Sequence, residues 1–180
     1  MFNDDELTDL GCHRRNGLWQ MALSSDRGYS FPSWGRGARP INVVNECIAG
    51  YFTDNNRTSL ACYGDNRGEW TLMESTGRGW TTSVWTEAPT LQRPVYEQCL
   101  SGDLNIDEMT DLMCYTGQEG TWNIWLSSAT GYKAALWTQG PSPNWPIDHQ
   151  CVTGDFTGDS ATDMACYPNV GDVWEMVLSR

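Results

Sequence analysis

Gly102-Asp103-Leu104-Asn105-Ile106-Asp107-Glu108-Met109-Thr110-Asp111-Leu112 carries oxygen-bearing side chains at every second position, Asp103, Asn105 and Asp107, and again at Asp111. An apolar residue follows at once. Carboxylates crowded into a short loop repel one another unless a hard cation sits among them. Ca²⁺, which takes about 6–8 oxygens in irregular geometry, is the natural occupant. Asp and Asn also favour turns without any metal, so a single loop of this kind decides little. This one recurs. Gly154-Asp155-Phe156-Thr157-Gly158-Asp159-Ser160-Ala161-Thr162-Asp163-Met164 repeats it 52 positions later. Phe2-Asn3-Asp4-Asp5-Glu6-Leu7-Thr8-Asp9-Leu10 reads as an earlier copy cut off at its start.

The last oxygen-bearing position of each loop anchors a tandem repeat. Asp9, Ser59, Asp111 and Asp163 follow one another at intervals of 50, 52 and 52 residues. Each is trailed by a cysteine three positions on (Cys12, Cys62, Cys114, Cys166), then by a tryptophan (Trp19, Trp70, Trp122, Trp174). A Gly-aromatic pair follows in three copies (Gly28-Tyr29, Gly79-Trp80, Gly131-Tyr132), with a second tryptophan beyond it (Trp34, Trp85, Trp137) and then a proline (Pro40, Pro94, Pro146). Short apolar-aromatic runs broken by Gly, Pro, Asn and Asp read as strands. In the third copy they fall at 112–115, 122–126, 132–137 and 147–152. A four-stranded unit repeated at this period is the signature of a β-propeller blade. The expectation is an all-β chain of about 3.5 blades in one repeat domain over residues 1–180. Its copies run 1–49, 50–101, 102–153 and, in part, 154–180. It reads as a fragment or as a chain completed by self-association. A β-trefoil, which shares the period, is the alternative fold.

Composition narrows the class. Eleven Lys and Arg against 23 Asp and Glu leave a net charge of −12, which argues against binding nucleic-acid phosphates. No apolar run has the ~18–20 residues a membrane span needs. Residues 1–12 lack the basic start and apolar segment of a signal peptide, so the signal has been removed or the chain is a piece of a longer one.

Seven cysteines are present, and Cys47–Cys62, Cys99–Cys114 and Cys151–Cys166 are each separated by 15 positions and bracket one loop. Three identical spacings predict three disulfides, each holding the strands that flank a loop. Closing a loop of this size contributes ~3 kcal/mol in the chain-entropy model. Disulfides place the protein outside the reducing cytosol. Isolated cysteines without C-x₂-C pairs make zinc a poor alternative. Cys12 is left over, its expected partner lying before residue 1 or on another chain.

Gly154-Asp155-Phe156-Thr157-Gly158-Asp159 with Thr162-Asp163-Met164 resembles the signature of FG-GAP/VCBS-type repeats, and Gly120-Thr121-Trp122 with Leu126-Ser127-Ser128-Ala129-Thr130-Gly131-Tyr132 resembles its continuation. The resemblance extends over essentially the whole chain, although regular cysteine pairs are not general in that family. It implies a propeller with Ca²⁺ in loops between the outermost strand of one blade and the first strand of the next. Carried over, it implies ligation by the side chains of Asp103, Asn105, Asp107 and Asp111 with the carbonyl of Met109. In the fourth copy it implies Asp155, Thr157, Asp159 and Asp163 with the carbonyl of Ala161. In the first it implies Asn3, Asp5 and Asp9 with the carbonyl of Leu7, Met1 standing where a leading Asp belongs. The second copy departs from the pattern: Tyr51, Thr53, Asn55 and Ser59 bring no carboxylate, and a metal-free loop is expected there. Asn56-Arg57-Thr58 within it is a glycosylation sequon.

The tryptophans that return in each copy, Trp19, Trp34, Trp70, Trp85, Trp122, Trp137 and Trp174, are expected in the core between blades. Trp125 and Trp145 break the repeat and are the better ligand-binding candidates. His13 and His149 stand outside any catalytic motif, and no nucleophile elbow, zincin motif or phosphate loop is present. The reading is therefore an extracellular, non-catalytic recognition or adhesion module with structural Ca²⁺ and a protein or glycan partner. The alternatives are a lectin with sugar sites between blades, or a structural or targeting module of a larger secreted toxin or hydrolase.

Overall fold

The computed structural model describes residues 1–3, 5–14, 17–36, 47–64, 69–85, 90–118, 120–129, 131–167 and 173–179. Pro40, Thr130 and Arg180 lie outside them. The chain forms two compact units, Met1–Thr86 and Glu87–Arg180.

In the first unit, β1 (Leu10–His13), β2 (Leu18–Ser25), β3 (Gly28–Ser30) and β4 (Ser33–Arg36) make sheet I, in which β2 pairs with the other three and the register shifts at Trp19/Gln20. Sheet II is a meander of β5 (Cys47–Gly50), β6 (Ser59–Gly64), β7 (Glu69–Ser75) and β8 (Trp80–Trp85). In the second unit, β9 (Cys99–Gly102), β10 (Asp111–Tyr115), β11 (Trp122–Ser128) and β12 (Gly131–Trp137) form sheet III. Sheet IV holds β13 (Cys151–Gly154), β14 (Asp163–Cys166) and β15 (Glu175–Val177). All pairings are antiparallel. The all-β expectation holds in these separate sheets.

Two expectations are corrected. Residues 147–152 are not one strand: Ile147–His149 is a 3₁₀ turn and β13 begins at Cys151. Pro146 presets the turn, Ile147 buries completely, and Gln150 Oε1 accepts the Asn144 N–H at 3.0 Å. The second copy has the same device, with Val95–Gln98 as one helical turn (α1) and Gln98 Oε1 accepting from Gln92 and Arg93. Second, the strand ahead of each loop pairs forward, across the loop. Cys151 stands directly opposite Cys166, Cys99 opposite Cys114 and Cys47 opposite Cys62. The loops at 51–59, 103–111 and 155–163 therefore each join neighbouring strands of one sheet rather than two blades. The disulfides enforce this frame, since a half-cystine bridges only to a close neighbour. All three expected bridges form, with Cα–Cα distances of 4.1 Å, and Cys12 is free and exposed.

Strand alternation sorts the side chains into two faces. In sheet I, Trp19, Met21 and Leu23 turn one way and pack, with Phe2 and Trp34, on Leu60, Cys62 and Met73 of sheet II. The Trp80 ring of β8 wedges between Phe2, Trp19 and Trp34 at 5.6, 5.7 and 5.1 Å. In the second unit, Trp122, Ile124 and Leu126 of sheet III pack in the same sense on Met164, Cys166 and Val177 of sheet IV. Burying one such aliphatic or aromatic side chain contributes about 1.5–3 kcal/mol. Trp19, Trp34, Trp70 and Trp122 are buried as expected and Trp85 and Trp137 half-buried. Trp174 is 55% exposed, against expectation, because its face of sheet IV carries no second layer within the unit. Among the described residues no helix is long and apolar enough to cross a membrane.

Candidate metal centre

The four loops share one local design. At the fifth position an Asp or Asn side chain accepts the N–H two residues on: Asp5 from Leu7, Asn55 from Arg57, Asp107 from Met109 and Asp159 from Ala161, at 2.9–3.0 Å. This Asx turn throws the next residue into the left-handed region, with φ of 60° at Glu6, 54° at Asn56, 65° at Glu108 and 73° at Ser160. The second loop keeps that geometry although it has no carboxylate at its candidate positions.

Where a leading aspartate is present, it caps the loop from within. Asp103 takes N–H groups from Asn105, Asp107 and Glu108 at 3.2, 3.2 and 2.8 Å, and Asp155 takes them from Gly158, Asp159 and Ser160. Those bonds hold the Asp155 carboxyl below the usual carboxylate range, led by the Gly158 and Ser160 amides. Asn105 Nδ2 donates to Asp107 at 2.9 Å, as Asn3 Nδ2 does to Asp5 at 3.0 Å.

The closing aspartates, Asp9, Asp111 and Asp163, are buried and each ties two distant amides. One oxygen accepts from the start of the loop (Phe2, Leu104, Phe156) and the other from the end of the tryptophan strand (Ser24, Ser127, Ser179), at 2.7–3.0 Å. Burial pushes Asp111 up, the Leu104 and Ser127 amides oppose it, and the Asp107 and Asp103 charges add to the rise, which reaches about 7. Burial also raises Asp163, but the Ser179 and Phe156 bonds outweigh it and its pKa falls.

Neighbouring loops within a unit are linked by a residue whose role is not apparent in one copy alone. The Thr58 amide donates to the Met1 carbonyl at 2.6 Å, and the equivalent Thr162 amide to the Asp103 carbonyl at 2.5 Å. Thr162 also lies where a side chain on Gly102 would be, 2.2 Å from an added Cβ, so only glycine fits. The signal was present: threonine stands at this position in all four copies (Thr8, Thr58, Thr110, Thr162), and serine at Ser24, Ser75, Ser127 and Ser179.

The donor set is all oxygen, as a hard cation requires. A carboxylate oxygen that accepts one N–H keeps a further lone pair. Asn3 Oδ1 and Thr53 Oγ1, both at the third loop position, are buried without a hydrogen-bond partner. Among the described residues no three His, Cys, Asp or Glu side chains stand grouped around a common point. Met109, Ala161 and Leu7 occupy the turn position in their loops, Ala161 being buried. Thr157 is exposed.

The remaining candidates are integrated into the scaffold. Trp125 is 5% exposed on β11. Trp145 rests 5.5 Å from the Tyr115 ring, with the Arg93 guanidinium 4.9 Å over it. His13 leans on Trp19 at 5.2 Å, and His149 stands 3.8 Å from Asp148 on the surface. Asn56 of the sequon is exposed. No protein-family model matches the chain, and no curated protein matches it.

Proposed function

We propose that the chain is a secreted, calcium-stabilised segment of a β-propeller that recognises a protein or glycan partner and performs no chemistry. The observation that carries this reading is the internal repetition of one oxygen-lined loop. Asp103, Asn105, Asp107 and Asp111, with the Met109 carbonyl, would hold one cation. Asp155, Thr157, Asp159 and Asp163, with the Ala161 carbonyl, would hold another, and Asn3, Asp5 and Asp9, with the Leu7 carbonyl, a weaker third. The unpartnered Asn3 Oδ1 supports oxygen ligation at that position. A bound cation supplies positive charge among crowded carboxylates and takes no part in a reaction. Sheets that stack face on face within each unit, three of the four being four-stranded, support the blade reading. Three disulfides belong to an oxidising compartment. Recognition then falls to surfaces where the copies differ.

Calcium titration of EDTA-stripped protein, followed by calorimetry and thermal melting, tests the metal. Saturation at 100 times Kd adds about 2.7 kcal/mol, and Asp103→Asn with Asp155→Asn removes most of it. An unchanged Tm on adding calcium overturns the metal assignment. Glycan-array binding tests the partner: selective sugar hits move the reading to a lectin, and their absence leaves a protein partner.

A further inference from the structure

The sixth position of every loop is exposed, at Glu6, Asn56, Glu108 and Ser160. The backbone there is left-handed, with φ of 54° at Asn56, a conformation asparagine adopts more readily than most residues. The eighth position is threonine in all four copies. An asparagine at the sixth position therefore creates Asn-x-Thr, and the second copy alone has one. Asn56-Arg57-Thr58 is also the sole Asn-x-Ser/Thr triplet in the 180 residues.

Two features of loop 51–59 suit Asn56 to carry a group. The turn does not use its amide, because Asn55 Oδ1 is the acceptor that takes the Arg57 N–H at 2.9 Å. Nor does the loop offer a carboxylate at its candidate positions, Tyr51, Thr53, Asn55 and Ser59. In the other copies the sixth residue lies between a carboxylate and the carbonyl that would serve a cation. A bulky group on Asn56 breaks no bond that keeps the turn and blocks no such site.

We propose that Asn56 carries an N-linked oligosaccharide. The inference rests on the secreted reading above, because this triplet is modified in the compartment where disulfides form. The donor is a lipid-diphosphate-linked oligosaccharide. The Asn56 amide nitrogen bonds to C1 of its first sugar, the bond from C1 to the diphosphate oxygen breaks, the lipid diphosphate leaves with the electron pair, and the amide gives up one proton. Thr58 is half-buried and its amide donates to the Met1 carbonyl at 2.6 Å. The triplet is thus read before the loop closes, and Asn56 remains outside once it has. A bulky, hydrated sugar keeps the bend of loop 51–59 in water, and a protein partner docks elsewhere.

Secretion of the full chain from a eukaryotic cell line tests this, with intact mass and peptide maps taken before and after peptide N-glycosidase. The expected product is one oligosaccharide heavier than 20.2 kDa. The enzyme removes the added mass and leaves an aspartate in place of Asn56. Asn56→Gln and Thr58→Ala each abolish the addition, and Thr58→Ser keeps it. Asn56→Gln is secreted with the same three bridges, since the position is exposed. A secreted chain with those bridges closed and no sugar on Asn56 overturns this inference and leaves the secreted reading standing. If the six paired cysteines remain reduced, the secreted reading falls and this one with it.

Discussion

Loops 51–59 and 103–111 follow the same turn with different side chains. Both place an Asx acceptor at the fifth position and a left-handed residue at the sixth, Asn56 and Glu108. Loop 103–111 adds Asp103, which gathers three amides, and Asp111, which ties Leu104 to Ser127. In loop 51–59 these positions are Tyr51 and Ser59, and Ser59 Oγ donates to the Arg57 carbonyl at 3.5 Å. The turn is thus a backbone device kept by one Asx bond. The carboxylates are a second layer on it, one that sets local charge and ties distant strands.

Four measurements break or sharpen this comparison. The largest effect is expected at the closing aspartate. Asp163→Ala leaves the Phe156 and Ser179 amides without acceptors and costs about 3 kcal/mol by urea unfolding, at 1–3 kcal/mol for an unpaired buried group. Asp111→Ala costs less, about 2 kcal/mol, because burial and the Asp107 and Asp103 charges already disfavour its ionised form. Ser59→Ala costs under about 1 kcal/mol; equal losses at all three would erase the distinction between the loops. Next comes Gly102→Ala, which drives a methyl into Thr162 and costs about 1–3 kcal/mol. Thr162→Gly in the same chain restores most of that loss, and failure to do so would deny the contact.

Asn55→Ala and Asp107→Ala come third, each removing one Asx bond for about 1 kcal/mol in EDTA. With calcium present, thermal melting should separate them, Asp107→Ala losing more. A parallel response would place no cation in loop 103–111. The smallest effect is a gain. Glu108→Gly and Asn56→Gly relieve a left-handed residue worth ~1–2 kcal/mol, partly offset by the added freedom of the unfolded chain. A net gain of about 0.5 kcal/mol in both loops is expected from chemical denaturation, and a loss in either would show that its side chain holds the turn.

The repeat made much of this legible. Period, cysteine spacing and aromatic recurrence marked the strands and the three bridges, because alternation and covalent reach are local properties of sequence. The strand frame was not legible. Apolar residues at 147–152 fit a strand, yet Pro146 and Gln150 close a helical turn there, and only pairing shows that β13 belongs with β14. The linking role of Thr58 and Thr162 was equally hidden, since their partners are backbone carbonyls, which leave no residue-type signature. Trp174 was read as core from its place in the repeat. Burial requires a second surface, and the residue alone does not say whether one is there.

The amino-acid sequence by itself determined the all-β repeat, the three cysteine pairs and the alternating oxygen groups of loops 103–111 and 155–163, all written as spacing along the chain. Tertiary structure alone decided that the loops at 51–59, 103–111 and 155–163 each close a hairpin within one sheet and that Asp111 and Asp163 act as buried ties. It alone left the faces of Trp174 and Leu10 uncovered. Those outcomes depend on which strands come within hydrogen-bond reach, and that is fixed by packing between residues far apart in the chain.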